Sequence, residues 1–323
     1  MHVLLAEPPG PNLAPYIVAV FAVVLLRVGT RLRDPAPKVL LPLAAFVLFV
    51  CAWQVAADLA RYELRDKEGN FLRMVEVFPA PWATLVGMRE PFTDGTLLRY
   101  AVASLYRVAA GFVIAAGIGI PLGLWAGWHL RGFQAINPLI QALRPISPIA
   151  WIPIAILWFG VKDASAIFLI ALSSFFPIVT GAMTAVRTIP VVYVRSAQNF
   201  GLTGSELFRR VVLPAAMPQI ITALRFALGI AWMVIVAAEM IAVDSGLGYL
   251  VMDARNANYY DRVVGAMITI GIIGILLDLG MRRLELLDEV RWGFPSQREE
   301  VVEEAARPRL DAERERTETA VAR

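Results

Sequence analysis

The chain has 323 residues, of which 58% are hydrophobic, and a mean hydropathy of +0.62, so it is too apolar for an ordinary soluble domain. Its net charge of +3 comes mostly from arginines beside apolar runs, where positive charge orients membrane spans, and this argues against nucleic-acid binding. The single cysteine, Cys51, excludes an internal disulfide.

Two apolar runs come first. Residues 8–26 carry no charge and predict an extra, marginal transmembrane helix, with an interfacial helix as the alternative; the flanks of a cleaved signal peptide are missing. This helix and a basic link containing Arg27 and Arg31 form a predicted region 1–38. Residues 39–59 are long enough to cross a bilayer and open a second region, 39–99.

The second region ends in a polar stretch, residues 58–99, that predicts an outer loop. Within it, residues 78–88 have the pattern of an amphipathic helix lying along the membrane interface, and Trp82 is the expected anchor at the level of the lipid headgroups. A turn-rich loop without a helix is the alternative.

Five further membrane spans are predicted between Tyr100 and Gly280. They cover residues 100–128, 136–159, 165–186, 220–243 and 263–280. The first span carries Gly119, Gly123 and Gly127 at intervals of four, which predicts a smooth strip against which another helix packs closely.

Prolines crowd the second of these spans. Each proline lacks an amide donor, and in lipid the freed carbonyl groups must face other helices or a wet cavity. We therefore expect this segment to line a pathway, although the same residues could simply pack a kinked helix. The pathway or gate candidates of the whole chain are Ser147, Pro148, Trp151, Pro153, Ser173, Ser174 and Glu239.

Three of those candidates lie in later spans and each has an alternative interpretation. Ser173 and Ser174 could form hydrogen bonds between helices. Glu239 is an ionisable residue inside a span, which suggests a pathway or gate role, but it lies near the outer end and could reach the interface. Near the inner ends, Arg225 is expected to extend to the headgroups and Asp278 to pair with an arginine.

The polar stretch at residues 188–218, called the elbow below, separates two strongly apolar spans. Thr188 is a predicted cap of a first short helix that Gly201 ends. Thr203 and Glu206 have the spacing of a capping box for a second helix that Pro214 stops. An apolar stripe in that helix contains Leu207, Phe208, Val211 and Val212. By spacing alone, the elbow could be an ordinary loop packed on its own bundle.

Part of the elbow resembles a known loop pattern. Ala197, Gly201, Val211, Leu213 and Pro214 match most of the pattern E-A-A, three residues, G, nine residues, I-x-L-P of permease subunits in binding-protein-dependent ABC importers. Arg195, Ser196 and Val211 stand where that pattern has glutamate, alanine and isoleucine.

A second match narrows the resemblance to one branch. The sequence AAEM, followed by a serine-glycine-leucine-glycine-tyrosine turn at residues 245–249, is typical of the nitrate, sulfonate and taurine branch. The chain is therefore similar to permeases that import a small oxyanion: an aliphatic sulfonate such as taurine, nitrate, or bicarbonate.

The resemblance implies an all-α integral membrane protein with a type I importer-like permease fold of about six or seven transmembrane helices. It implies a homodimer, two separate ATPase subunits that bind ATP and Mg, and an extracytoplasmic binding protein. It also implies that the elbow is the coupling loop. We expect a β-branched residue at Gly201, or aspartate at Leu207 and Phe208, to uncouple ATP hydrolysis from uptake. The residues assigned to ATPase coupling are Arg195, Ser196, Ala197, Gly201, Glu206, Leu207, Phe208, Val211, Leu213 and Pro214.

The permease core is predicted to cover residues 100–292, in a bacterial inner membrane with the elbow and the C-terminus in the cytoplasm. Residues 293–323 are charged and nearly free of large apolar groups, which predicts a disordered cytoplasmic tail.

The sequence contains no recognisable motif for catalysis, cofactor binding or metal binding. No lysine has the context of a phosphate-binding loop, and the two histidines, His2 and His129, stand far apart, so no catalytic, cofactor or metal residue is assigned. The rival function is an ion-coupled secondary transporter or channel. That class requires a chain of intramembrane carboxylates or an internal repeat, for which only Glu239 and Asp278 are candidates.

Overall fold

A computed structural model describes residues 4–6, 37–59, 61–65, 71–76 and 78–285. The predicted helix within residues 8–26, the arginines of the basic link and the predicted tail lie outside these ranges. Within them, the chain is mainly α-helical, as expected for this class of membrane protein.

The elements follow one another in this order: β1 (Leu4–Ala6), α1 (Pro37–Leu59), β2 (Arg61–Arg65), β3 (Phe71–Glu76), α2 (Pro81–Gly87), α3 (Arg89–Thr93), α4 (Thr96–Trp128), α5 (Leu130–Leu143), α6 (Ile152–Phe159), α7 (Asp163–Arg187), α8 (Val191–Asn199), α9 (Gly204–Ile241), α10 (Leu247–Asn256) and α11 (Tyr260–Glu285).

A small three-stranded antiparallel sheet in the order β1-β2-β3 accompanies the helices. Leu5 pairs with Leu64, and Glu63 pairs with Met74. Charged and apolar residues alternate along β2, and this period of two is a strand signal that the loop interpretation of residues 58–99 overlooked. The predicted interfacial helix 78–88 is present in part, as α2.

Four helices of the described chain are long and apolar enough to cross a membrane: α4, α7, α9 and α11. A fifth crossing exists if α5 and the segment Pro148–Phe159 are counted together. These five match the five predicted core spans. Helix α1 has 23 residues, and its apolar part within the described residues, Ala44–Asp58, is shorter than these spans.

The proline-rich span is broken rather than continuous. Between α5 and α6 lies a 3₁₀ turn, Pro148–Trp151, and the two halves meet at 85°. Pro145 and Pro148 lie at the break, where each lacks the amide that would continue the α-helical hydrogen bonds. The prediction of one re-entering span at 136–159 is therefore corrected to two short helices joined at an angle.

The chain divides into two compact units. The first contains Met1–Tyr106, Val161–Asp163 and Val236–Ile273. Its core includes the buried residues Leu250, Val251 and Ala266. Leu97, Tyr100, Met240, Val263 and Ile270 pack around them.

The second unit contains Arg107–Gly160, Ala164–Ile235 and Gly274–Arg323. Its core near the elbow joins α4, α7 and α9. The buried members are Ala182, Ala185, Val186, Val212, Ala216 and Ile220.

The glycine strip of α4 packs directly on α7, as predicted. A Cβ atom added to Gly123 would lie 2.6 Å from the carbonyl oxygen of Val179, and one added to Gly127 would lie 2.8 Å from that of Met183. Because backbone atoms fill the space, only glycine permits this separation of the two helices. The glycine strip therefore allows close packing of α4 on α7 within one chain.

Candidate functional site

The first helix of the elbow, α8, ends in a Schellman motif at Gly201. The N–H of Gly201 donates to the carbonyl of Gln198 (2.9 Å), and the N–H of Leu202 donates to the carbonyl of Ala197 (3.1 Å). Gly201 has φ +84°, and no heavy atom lies within 4 Å of the position of a Cβ. Glycine is required there for its backbone conformation, as the sequence predicted.

The start of α8 differs from the prediction. Pro190 is the N-cap residue, and Thr188 makes no cap. Instead, Thr188 Oγ1 lies 2.9 Å from the carbonyl oxygen of Thr184 and 2.8 Å from Gln219 Oε1. Thr188 therefore binds near the end of α7 and connects that helix to α9.

The predicted capping box is absent. The Thr203 side chain makes no hydrogen bond to the helix, and the N–H of Glu206 donates to the backbone carbonyl of Thr203 at 3.2 Å. The Glu206 carboxylate lies 3.1 Å from Arg210 Nη2, one turn later, with both side chains mostly exposed. The favourable (i, i+4) ion pair turns Glu206 away from Thr203.

Pro214 does not end the second helix, contrary to the prediction. Helix α9 continues from Gly204 to Ile241 through a π-helical turn at Phe208–Val212, which ends two residues before Pro214. A π-helical turn widens the backbone locally, which accommodates a proline ring and its missing amide. The elbow is therefore continuous with a membrane span.

The apolar stripe of the elbow faces the protein's own bundle. Leu207 and Val212 are 3% and 1% exposed, and Val212 belongs to the core cluster of the second unit. Phe208 makes an edge-to-face contact with Trp128 at 5.4 Å between ring centroids. Val211 and Leu213 are half-buried. The stripe thus fixes the elbow to the membrane helices.

A different set of apolar residues is exposed on the elbow. Val191, Val192 and Tyr193 begin α8, and Phe200 at the turn is 87% exposed. Sequence reasoning missed these residues because it followed the periodic stripe. The available signal was an apolar trio at the start of a helix that is otherwise polar.

Cationic side chains accompany this exposed set. Arg195 and Arg209 are exposed, and the structure records no ion pair for either within the described residues. Ser196 is also exposed, whereas Ala197 is buried. Of the residues assigned to coupling, the elbow therefore presents some to solvent and uses others for its own shape.

The pathway candidates of the broken span gather around its 3₁₀ turn. Ser147 is the N-cap residue of the turn, which contains Pro148 and Trp151, and Pro153 lies in the first turn of α6. Ser147 and Pro153 are exposed, and the other two are half-buried.

Ser173 and Ser174 lie in the packed interior of the second unit. They are 5% and 0% exposed. Ser173 Oγ donates to the carbonyl of Ile170 in its own helix (2.9 Å), and Ser174 Oγ has no hydrogen-bond partner among the described residues. The expected hydrogen bonds between helices are therefore not observed for these serines.

Glu239 is fully buried, so the alternative that it reaches the interface is wrong. Both of its carboxyl oxygens lie 2.8 Å from Ser104 Oγ, and Oε2 accepts the N–H of Gly248 at 2.9 Å. Ser104 Oγ in turn accepts the N–H of Leu247 at 3.0 Å. These bonds satisfy two of the amides that open α10 and connect them to α4 and α9.

Arg225 and Asp278 form a bidentate pair. Arg225 Nε lies 2.6 Å from Asp278 Oδ1, and Nη2 lies 2.9 Å from Oδ2. Arg225 Nη1 also binds Glu285 at 3.2 Å. The predicted pairing of Asp278 is confirmed, and the Arg225 guanidinium is held by two acids of α11.

Among the residues that the structure describes, no group of three or more His, Cys, Asp or Glu side chains is placed to hold a metal ion.

The sequence matches the family model described as "Binding-protein-dependent transport system inner membrane component" over residues 119–286. This range includes the elbow, the last four of the five core crossings in full and the end of α4.

Several named proteins are similar over most of this range. A nitrate import permease protein of Leptolyngbya laminosa is 34% identical over 256 residues, covering 78% of this chain and 86% of that protein. A bicarbonate transport system permease protein of Synechococcus elongatus is 37% identical over 249 residues, covering 76% and 88%. The taurine transport system permease protein of Escherichia coli is 37% identical over 196 residues, covering 61% and 71%.

Solved structures agree at the level of the fold. A chain of the inward-facing MetNI methionine ABC transporter superposes with a TM-score of 0.54 at 18% identity, covering 62% of this chain and 97% of that one. With its apolar spans, its elbow pattern and these similarities, the chain belongs to the family of inner membrane components of binding-protein-dependent transport systems.

Proposed function

We propose that this chain is the permease subunit of an ATP-driven importer for a small oxyanion. Two copies form the translocation pathway, two separate ATPase subunits bind ATP and Mg, and an extracytoplasmic binding protein delivers the solute. The observation that carries the proposal is the family match across the elbow, together with relatives named for nitrate, bicarbonate and taurine import. All three solutes are small and carry an anionic oxygen group.

The elbow can transmit force because of how it is joined to the spans. Helix α9 runs without interruption from Gly204 into the membrane, and Leu207 and Val212 are buried in the core of the second unit. A movement imposed on the elbow therefore moves the attached helices as a rigid body. Alternating access requires this kind of switch when ATP closes a pair of ATPase subunits.

The coupling residues divide into two roles in this proposal. Arg195, Ser196 and Glu206 are exposed and contact the ATPase, together with Val192 and Phe200, which the sequence analysis did not assign. The others hold the shape of the elbow through a buried side chain, a required backbone conformation or packing on the bundle: Ala197, Gly201, Leu207, Phe208, Val211 and Leu213. Pro214 is exposed and follows the π-helical turn of α9.

The placement in the cell is part of the proposal. The elbow and the end of α11 lie in the cytoplasm of a bacterium, where ATP is available, because Arg187, Arg195, Arg282 and Arg283 concentrate positive charge there. The broken span, with Ser147 and Pro153 exposed at its bend, forms part of the pathway wall.

The test is ATP-driven uptake by the reconstituted complex of permease, ATPase and binding protein. We expect Val192→Asp and Phe200→Asp each to lower uptake at least about tenfold without lowering the melting temperature of the permease, because both side chains are exposed. Leu130→Asp is the matched control, since Leu130 is also an exposed apolar residue but lies outside the elbow. It should leave uptake unchanged.

The expectation for Leu207 changes with the structure. Aspartate at this buried position should unfold the elbow and lower the melting temperature, rather than uncouple a folded permease.

Normal uptake with Val192→Asp and Phe200→Asp would refute the docking role. Uptake driven by an ion gradient without any ATPase would refute the importer. Radiolabelled nitrate, bicarbonate and taurine, offered in parallel, identify the solute.

A further inference from the structure

A groove of about 570 Å³ in the first unit has no part in the proposed transport function. It is lined by α2 and α3, by Leu97 of α4 and by one face of α11. We propose that this groove binds one anionic phospholipid, with an acyl chain against Leu85, Ile268 and Ile272 and the phosphate at Arg89. A volume of this size lies within the range of about 300–1,000 Å³ that is usual for small-molecule sites.

The groove is preformed because its two walls, the α2–α3 segment and α11, are packed against each other. Met88 packs against Gly265, and Asp261 packs against Gly87, so closely that a Cβ on either glycine would overlap the opposite side chain. Glu90 of α3 also forms an ion pair with Arg262 of α11. The α2–α3 segment is thereby held on α11 at three points, and the groove exists before any ligand enters.

The inner wall of the groove offers an apolar surface. Its two hydroxyl groups are already used, because Thr84 Oγ1 donates to the carbonyl of Ala80 (3.1 Å) and Thr269 Oγ1 donates to that of Gly265 (2.9 Å). Leu85 and Ile272 present exposed apolar side chains. A hydrocarbon chain loses no hydrogen bond by binding here, whereas a polar solute would.

One end of the groove carries an available positive charge. Arg89 is exposed, and the structure records no ion pair for it within the described residues, while its neighbour Glu90 is paired with Arg262. A guanidinium group recognises phosphate by charge and by paired hydrogen bonds. A phospholipid fits this arrangement, because its acyl chain can contact the apolar wall while its phosphodiester group binds Arg89.

The position of the groove in the bilayer agrees with a lipid ligand. Helix α11, which forms one wall of the groove, is one of the four helices of the described chain that qualify as membrane spans. Trp82 and Phe92, 74% and 75% exposed, line it near Arg89 in the chain. Aromatic residues of this kind favour the headgroup level of a membrane.

The test uses the full chain, purified in detergent and stripped of lipid by washing. The protein is incubated with mixed micelles of phosphatidylglycerol and phosphatidylcholine that carry identical acyl chains, and the retained lipid is counted by mass spectrometry. We expect about one phosphatidylglycerol per chain and a preference of about fivefold over phosphatidylcholine, as one interfacial arginine would supply.

Two pairs of variants separate the charge from the groove. Arg89→Gln should abolish the fivefold preference, whereas Arg99→Gln, an exposed arginine that does not line the groove, should keep it. Ile272→Trp should fill the groove and lower retention of both lipids, whereas Ile275→Trp, an exposed residue outside the lining, should not. A phosphatidylglycerol with a photoreactive acyl chain should label residues 82–92 and 265–272.

The outcomes that overturn the proposal are equally specific. Equal retention of the two lipids by the unaltered chain would mean that lipid binds only as a general annulus around the protein. The same loss of preference in Arg89→Gln and Arg99→Gln would lead to that conclusion too. Labelling spread over all spans would lead to the same conclusion. Absence of label from residues 82–92 and 265–272 would mean that protein, such as another segment of this chain, covers the groove. None of these results depends on ATPase binding or transport.

Discussion

Glu239 illustrates how a polar residue inside a membrane protein can be structural. The sequence placed it in an apolar helix, and the structure surrounds it with the Ser104 hydroxyl group and the Gly248 amide. Because Ser104 Oγ accepts the N–H of Leu247, its own hydrogen is free to be donated to Glu239. The carboxyl group is thus the acceptor for a small network that positions the start of α10.

We expect Glu239→Ala to lower the melting temperature of the purified chain clearly. The change leaves the Ser104 hydroxyl and the Gly248 amide without their acceptor, and each unsatisfied buried group costs about 1–3 kcal/mol. Glu239→Gln keeps one acceptor oxygen and should lose less. The measurement is thermal unfolding in detergent.

Two controls accompany this prediction. Glu206→Ala, at an exposed glutamate whose ion pair is also exposed, should leave the melting temperature almost unchanged. Ser104→Ala combined with Glu239→Ala should cost less than the sum of the two changes, because both remove the same network. A melting temperature of Glu239→Ala equal to that of the unaltered chain would refute the structural role.

At the scale of elements, the contact between α4 and α7 depends on glycine. The strip Gly119, Gly123 and Gly127 lies against backbone and side-chain atoms of α7 at distances that leave no room for a methyl group. Helices in lipid gain little from apolar burial against one another, so close packing of this kind contributes much of their association.

We expect Gly123→Ala to destabilise the chain by about 1–3 kcal/mol, since the added methyl group meets the backbone oxygen of Val179 and the helices must separate. Gly117→Ala is the matched control in the same helix, where no heavy atom lies within 4 Å of the added Cβ. It should be neutral or slightly stabilising because alanine favours the helix. Equal melting temperatures for the two variants would contradict the packing argument.

At the scale of the whole molecule, α9 is long and apolar enough to cross the membrane once between the elbow and α10. Ser205 of the elbow and Asn258, after α10, should therefore lie on opposite faces of the membrane. Both are exposed and suited to labelling. In a Cys51→Ala background, we expect a membrane-impermeant maleimide to label Asn258→Cys in intact cells and Ser205→Cys only after permeabilisation.

The labelling pattern has a clear contrary result. Reaction of both cysteines from the same side would mean that α9 does not cross, and reaction of Ser205→Cys from outside would invert the proposed orientation. In the second case, the elbow could not meet a cytoplasmic ATPase. The Cys51→Ala chain without an added cysteine provides the background signal to subtract.

The amino-acid sequence by itself determined the class of protein, four of the five core spans, the elbow and the glycine at its turn. These features rest on local properties, because twenty apolar residues, a run of arginines or a glycine with positive φ each act through a short stretch of chain. The alternation in β2 was also local, and the sequence analysis missed it only because charged residues dominate that region.

The tertiary structure decided which side of each element faces the protein. The stripe of Leu207 and Phe208 suggested a docking face, and only the packing on Trp128 and Val212 shows that it belongs to the bundle, which leaves Val192 and Phe200 exposed. Glu239 acquired a structural role through Ser104, 135 residues away. Such contacts join distant parts of the chain, and no periodicity within one segment encodes its partner.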